Sequence, residues 1–405
     1  MPELFDPARH EPLGETAWDA GEARRAIEAI VADVRAEAGP YGTWENHPRE
    51  DAPAGTPPYR NLYFGAVGVT LGLDHLVRLG VAPPGPTFAE HLPMHREVNR
   101  KAFAALKFQT RSYLMGDAGV WFTQWRTGGS AEAADGLAGA IADNADDPAR
   151  EIMWGAPGTM LAALAMHRWT GEPRWAELYR QSVEALDRHR VDDAAGGVMW
   201  VQDLYGRQMS FVGAVHGFAS IAFALIAGRD LIGPQDWPRW SAALASTLES
   251  TAIRGEDGVN WPPVLDQTPV RTLVQFCHGA PGMIYCFAEL DQPIDELLLA
   301  AGELVWRAGP LIKGANFCHG TDGNGYAFLK LFQRTGDEKW LGRARAFAIH
   351  AIAQSQAEAN TVGRRRATLW TGDLGLAAFV ADCLDARCRF PSMEFVAEAP
   401  ATAVN

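Results

Sequence analysis

One unit recurs along this chain and limits its fold more than any other feature: a Gly-x-x-Gly pair that opens an apolar helix. It occurs in "FGAVGVTLGLDHL" (Gly65, Gly68), "MGDAGVWFTQW" (Gly116, Gly119) and "WGAPGTMLAAL" (Gly155, Gly158). It returns in "CHGAPGMIYCFAEL" (Gly279, Gly282), "CHGTDGNGYAFLKL" (Gly320, Gly323) and "TGDLGLAAFVADCL" (Gly372, Gly375). A seventh copy, "VHGFASIAFAL", keeps Gly217 but carries Ser220 at the second position. The frame extends past the glycines, because Trp175 and Trp340 each follow a Thr-Gly turn at the same distance from Gly155 and Gly320. Copies spaced by roughly 40 to 60 residues suit a helical hairpin with its loops. Seven stacked hairpins can stay an open solenoid or close into a toroid. Glycine at each helix start supplies a positive φ and lets backbones approach closely, and it leaves free N–H groups at one end of the stack.

The periodicity between these units is helical. Residues 22–38 place Ile27, Ile30, Val31 and Val34 on one face, and Gly39-Pro40 stops the helix. Residues 159–169 are apolar nearly all round, as in a deeply buried helix. Segments 295–309 and 338–354 read as further helices, while 196–201 and 257–264 read as short extended pieces or turns. The expectation is an all-α fold in which residues 1–405 form one domain. The first 40 or so residues pack on its outside.

A formal net charge of -13 argues against general nucleic-acid binding, which needs clustered positive charge. The one dense basic cluster, Arg364-Arg365-Arg366, suits a local anion site. Five cysteines in 405 residues do not make a disulfide framework. The segment "MPELFDPARHEPLGE" has no apolar signal region, and no run of about 18 apolar residues suggests a membrane span. A reducing cytoplasm, with no membrane partner, is therefore expected.

Two copies of the frame differ from the rest in chemistry. Cys277-His278 and Cys318-His319 stand immediately before the helix-start glycine in adjacent repeats. Adjacent repeats bring equivalent positions together, and two thiols with one or two imidazoles form a zinc-type ligand set. If only three of the four bind, the metal keeps the open position of a catalytic site. His216 holds the same place before Gly217, with Val215 in place of cysteine, and suits a general acid or base.

Taken together, "AVHGFASI", "QFCHGAPG" and "NFCHGTDGNGYAFL" resemble the signature motifs of the lanthionine synthetase C-like proteins. The likeness runs through "LYFGAVGVTLGLDHL", "LIKGANFCHG" and "TLWTGDLGLAAFVADCLDARCRFPSMEF". It favours the stand-alone, glutathione-associated branch over the dedicated lantibiotic cyclases. The resemblance implies an α/α toroid of seven inner and seven outer helices with one zinc ion. It implies Cys277, Cys318 and His319 as ligands, with His278 beside them, not bound to the metal but placed with the substrate-binding residues. It gives His216 the role of protonating the enolate left by thiol attack. Glu151 matches an acidic position that orients a proton or is merely a solvated helix-start carboxylate. Lys313 matches a glutathione-branch lysine, and one of Arg364, Arg365 and Arg366 matches an arginine of that branch. Phe276 stands where the family has tryptophan, and Ser220 where it has glycine; both departures bear on substrate shape more than on metal.

The activity implied is zinc-dependent addition of a thiol, glutathione by preference, to dehydroalanine or dehydrobutyrine in a peptide or protein. Its neighbour is a peptide cyclase using an internal cysteine. A glutathione-binding sensor without turnover is the non-catalytic alternative. Glycosidases and zinc prenyltransferases also use helical toroids, but no carboxylate pair stands out in the inner frame.

Overall fold

Seven helices begin directly after the first glycine of each copy in the computed structural model, which describes residues 3–50, 52–53, 55–265 and 272–395. In chain order the helices are α1 (Ala20–Ala36), α2 (Ala66–Arg78), α3 (Leu92–Ala105), α4 (Asp117–Gly128) and α5 (Ala131–Asn144). Then come α6 (Ala156–Thr170), α7 (Pro173–His189), α8 (Phe218–Ala227), the single turn α9 (Arg229–Ile232) and α10 (Trp237–Ser250). The last are α11 (Ala280–Phe287), α12 (Asp295–Ala308), α13 (Thr321–Thr335), α14 (Glu338–Val362) and α15 (Asp373–Asp385). Among the described residues, three two-stranded hairpins lie in the loops: β1 (Val191–Asp192) with β2 (Val198–Met199), β3 (Gln202–Leu204) with β4 (Arg207–Met209), and β5 (Ile253–Gly255) with β6 (Gly258–Asn260).

The glycine-started helices are α2, α4, α6, α8, α11, α13 and α15. Each packs on the next and α15 packs on α2, so the stack closes into a toroid. These helices are wrapped on all sides, which explains their unbroken apolar character; in α6 every residue from Ala156 to Met166 is buried. The remaining long helices are amphipathic and lie outside, with α3, α5, α7, α12 and α14 packed on the inner helix that precedes each. The inner helix α15 finds its outer partner in α1, from the other end of the chain. That helix is started by Asp19, whose side chain accepts the Glu22 N–H, and it buries Ala23, Ile27, Ile30, Val31 and Val34. Trp175 and Trp340, fixed by the longer repeat, are both fully buried.

The glycines answer to crowding more than to conformation. A Cβ on the second glycine would lie 1.9 to 2.3 Å from the carbonyl oxygen of the residue six positions earlier in Gly68, Gly119, Gly158, Gly282, Gly323 and Gly375. A positive φ was expected at every first glycine. Only Gly217 and Gly279 adopt one, at 130° and 107°. The other five are extended, and glycine is required because a Cβ would meet backbone at 2.1 to 2.6 Å. Ser220 turns its hydroxyl onto the Gly217 carbonyl at 2.8 Å.

Candidate active site

Backbone hydrogen bonds run from one helix-start loop to the next at a fixed frame position, two residues before the glycine. Tyr63 N–H donates to Leu114 O (3.0 Å), Cys277 N–H to Cys318 O (2.9 Å) and Cys318 N–H to Trp370 O (2.9 Å). This ladder makes Cys277 and Cys318 neighbours although 41 positions separate them. Residues at that position are buried, whereas His216, His278 and His319, one step closer to the glycine, are partly exposed at the same end of the ring.

The two thiols interact directly. Cys277 also accepts a hydrogen bond from Gln275 Nε2–H (3.0 Å), and Cys318 accepts one from the Tyr63 hydroxyl (2.7 Å). The hydrogen bond from Cys318 lowers the Cys277 pKa against burial, helped by Gln275, His216 and Lys313. Burial, then Cys277 itself, pushes Cys318 well up. Burial, with the charges of Lys313, Arg366 and Arg9, lowers His319 to about 3, so its ring is neutral at physiological pH.

Across from the thiols, His216 Nδ1 lies 2.8 Å from Glu151 Oε2. Glu151 is wholly buried and also accepts the N–H groups of Met153 (3.0 Å) and Trp154 (2.6 Å). The reading of Glu151 as a solvated helix-start carboxylate is thereby excluded. Burial alone would lower the His216 pKa, but the Glu151 carboxylate and Cys277 reverse the sign and raise it. His278 lies beside it, ring centroids 6.3 Å apart, with its Nδ1 buried and unpartnered. Burial, then the charge of His216, lowers His278 to about 4.

The basic residues separate into two groups. Lys313 is exposed, and its charge acts on both thiols and on His319. Arg366 is buried, pairs with Glu50 at 2.7 Å and acts on His319. Arg365 points into the outer ring instead, where it bonds Asp33 (2.9 Å), Ser355 (2.9 Å) and Gln356 (3.1 Å) on α1 and α14. Arg364 is spent on the carbonyls of Glu45 (3.4 Å) and Asn46 (2.7 Å). Of the three, Arg366 is the one whose charge acts on His319.

Sequence reasoning missed Tyr63, Gln275 and Arg9. Tyr63 was findable, because it occupies the same frame position before Gly65 as the two cysteines do before theirs. Gln275 and Arg9 carry no motif; Arg9 donates to Gln275 Oε1 (3.2 Å), and Gln275 Nε2–H donates to Cys277. A cavity of about 690 Å³ between the N-terminal segment and α12 is lined by none of the site residues.

Among the described residues, no group of three or more His, Cys, Asp or Glu side chains stands in a metal-holding arrangement. The donor chemistry nonetheless fits zinc. Two thiols touch, each accepts a hydrogen bond of the kind that stabilises a thiolate, and a neutral imidazole follows Cys318 directly.

The sequence profile of the lanthionine synthetase C-like protein family matches residues 193–395, and the chain belongs to that family. The matched segment includes His216, both Cys-His pairs, Lys313 and Arg366. Glutathione S-transferase LANCL1 of Danio rerio is 33% identical over 198 residues, which cover 46% of this chain and 46% of that protein. LanC-like protein GCL1 of Arabidopsis thaliana is 30% identical over 214 residues, 49% of this chain and 46% of its own length. The chain thus spans about half the length of the curated relatives it matches. Among solved structures, nisin cyclase superposes with a TM-score of 0.57 over 89% of this chain and 94% of its own, at 14% identity, a likeness of fold. No helix among the described residues is long and apolar enough to cross a membrane.

Proposed function

We propose that this member of the lanthionine synthetase C-like family adds a thiol to a dehydroamino acid in a peptide or protein. Glutathione is the preferred thiol. The observation that carries the reading is the meeting of two groups: a pair of touching thiols that accept hydrogen bonds from Tyr63 and Gln275, and a histidine backed by a buried carboxylate. Each acts on the other, His216 lowering the Cys277 pKa and Cys277 raising that of His216. The name of the Danio rerio relative, a glutathione S-transferase, supports glutathione as the thiol.

Cys277, Cys318 and His319 would hold one zinc ion, which when bound supplies positive charge that keeps a thiol deprotonated at neutral pH. Tyr63 and Gln275 fix the two sulfurs by donating to them. Lys313 and Arg366 offer positive charge to the carboxylates that glutathione carries, with Arg366 held in place by Glu50. Glu151 occupies His216 Nδ1, leaving Nε2 to exchange a proton with substrate. In the addition, a sulfur–carbon bond forms at the β-carbon and the carbon–carbon π bond is lost. His216 delivers a proton to the α-carbon, balancing the one the thiol gives up. The buried carboxylate stabilises the imidazolium before that transfer.

All five cysteines are free, which suits the reducing cytoplasm in which we place the protein. The test is incubation with zinc, glutathione and a dehydroalanine peptide, followed by mass spectrometry. Cyclisation of a peptide carrying its own cysteine, with no glutathione adduct, would instead assign the cyclase reading. Tight glutathione binding without any product would assign the sensor.

A further inference from the structure

An aromatic surface runs outward from His216. Phe211 and Tyr205 each bring a ring within 6.2 Å of the His216 ring, by centroids. Tyr205 accepts a hydrogen bond from Trp154 Nε1–H at 2.9 Å, and Phe108 stacks on Trp154 at 5.4 Å. Trp154 belongs to the turn whose N–H groups Glu151 holds. Tyr205 is 62% exposed and Phe108 41%, so the surface faces solvent at its outer end while its inner end touches the site.

Several anchors hold this surface still. Gln109 donates to the Trp154 carbonyl (2.6 Å), tying down the turn that carries Phe108. Asp203 N–H donates to Pro148 O (2.9 Å) and Arg150 to Val201 O (3.0 Å), tying down the β3–β4 hairpin. Tyr205 is placed at a local cost. The pairing Leu204↔Arg207 leaves Tyr205-Gly206 as a two-residue turn, with φ of 54° and 74°. Turns with positive φ at both positions favour Asn-Gly, and a bulky aromatic residue there is unfavourable. Tyrosine at that position sets its ring against His216 and its hydroxyl on Trp154.

We infer that Phe108, Tyr205 and Phe211, backed by the buried Trp154, form a shelf that takes an apolar side chain of the acceptor peptide, next in sequence to the residue receiving the thiol. This rests on the proposed thiol addition and names the peptide class for the same site. Charge and aromatic surface then divide the labour: Lys313 and Arg366 take the charged thiol, and the aromatic shelf takes the uncharged neighbour of the electrophile. Aromatic surface continuous with His216 offers such a neighbour an apolar place when the α-carbon is within reach of that histidine.

The experiment uses the full-length zinc-loaded protein and two dehydroalanine peptides that differ only in the residue beside dehydroalanine, phenylalanine or serine. The shelf predicts kcat/KM about 10-fold higher for the phenylalanine peptide, from burying one apolar side chain, carried mainly by KM. Phe108→Ala and Tyr205→Ala should each reduce that preference while leaving the KM for glutathione unchanged. Equal rates for the two peptides in the unaltered protein, or a preference that survives both substitutions, would overturn the inference. Anisotropy of the same labelled peptides, with alanine in place of dehydroalanine, separates the two ideas. If no thioether forms but the phenylalanine peptide binds about 10-fold tighter, and only while Phe108 and Tyr205 are present, the shelf stands and the proposed reaction fails. Equal binding of both peptides sinks the shelf whatever the reaction.

Discussion

Replacing Glu151 with glutamine isolates the contribution of the buried carboxylate. In the native protein its oxygens accept from Met153 N–H, Trp154 N–H and His216 Nδ1, at 3.0, 2.6 and 2.8 Å. Glutamine offers one acceptor oxygen and an NH2 group, so at least one buried N–H loses its partner, at a cost of about 1–3 kcal/mol. The larger effect is electrostatic. Burial acts to lower the His216 pKa, and Glu151 is the main group opposing it. Without that charge, burial prevails and the His216 pKa falls below the usual histidine value of 6.5. A reaction that needs protonated His216 declines as pH rises through that pKa, so Glu151→Gln should move the alkaline limb to lower pH. Turnover at pH 7.5 should drop by about 100-fold, within the range for loss of a general acid. The same linkage bears on stability. A raised histidine pKa stabilises the native state fully below the unfolded-state value of about 6.5 and ceases to do so as pH rises through the folded-state value. The difference in melting temperature between native protein and Glu151→Gln should therefore shrink toward alkaline pH. A pH–rate profile with a dehydroalanine peptide, alongside thermal unfolding at several pH values, reads both effects. An unmoved alkaline limb with reduced turnover would refute the role given to His216.

Cys277→Ala and Cys318→Ala should each abolish stoichiometric zinc in elemental analysis and thioether formation with it; retention of one equivalent with full activity would remove both cysteines from the ligand set. Gly323→Ala places a methyl carbon 1.9 Å from Phe317 O and should cost about 3 kcal/mol in urea unfolding, the upper range for overpacking. Gly342→Ala, on the exposed side of α14 with nothing within 4 Å, should stabilise by about 0.5–1 kcal/mol. Arg365→Met should lower the melting temperature without changing the KM for glutathione, whereas Arg366→Met should raise that KM; the reverse pattern would undo the separation of the two arginines.

The ring was legible because its repeat is a steric requirement. A methyl group at the second glycine strikes the same carbonyl in six loops, so the spacing survives wherever the packing does. Closure was not legible in spacing, since nothing in the glycine frame says that α15 must meet α2. Nor does local pattern reveal that α1 supplies the outer partner of α15. The paired cysteines were visible because equivalent frame positions become neighbours through the ladder from Cys277 to Cys318 to Trp370. The Arg364–Arg366 run shows the limit of such reading. Three identical side chains in a row point in different directions, and only the partners Glu50, Asp33 and the carbonyls of Glu45 and Asn46 distinguish them. Glu151 could not be linked to His216 from sequence, because 65 positions separate them and only the toroid brings their loops together.

The central claim is that the thiol pair and His216 act together on an electrophilic peptide. The most direct measurement is the initial rate of glutathione adduct formation on a dehydroalanine peptide, by mass spectrometry, for the zinc-loaded protein and for its His216→Gln and Cys318→Ala forms. The account predicts a peptide mass increased by one glutathione, formed far faster than without protein, and lost or severely slowed in both variants. Adduct formation no faster than the uncatalysed background, or equally fast in both variants, would contradict it.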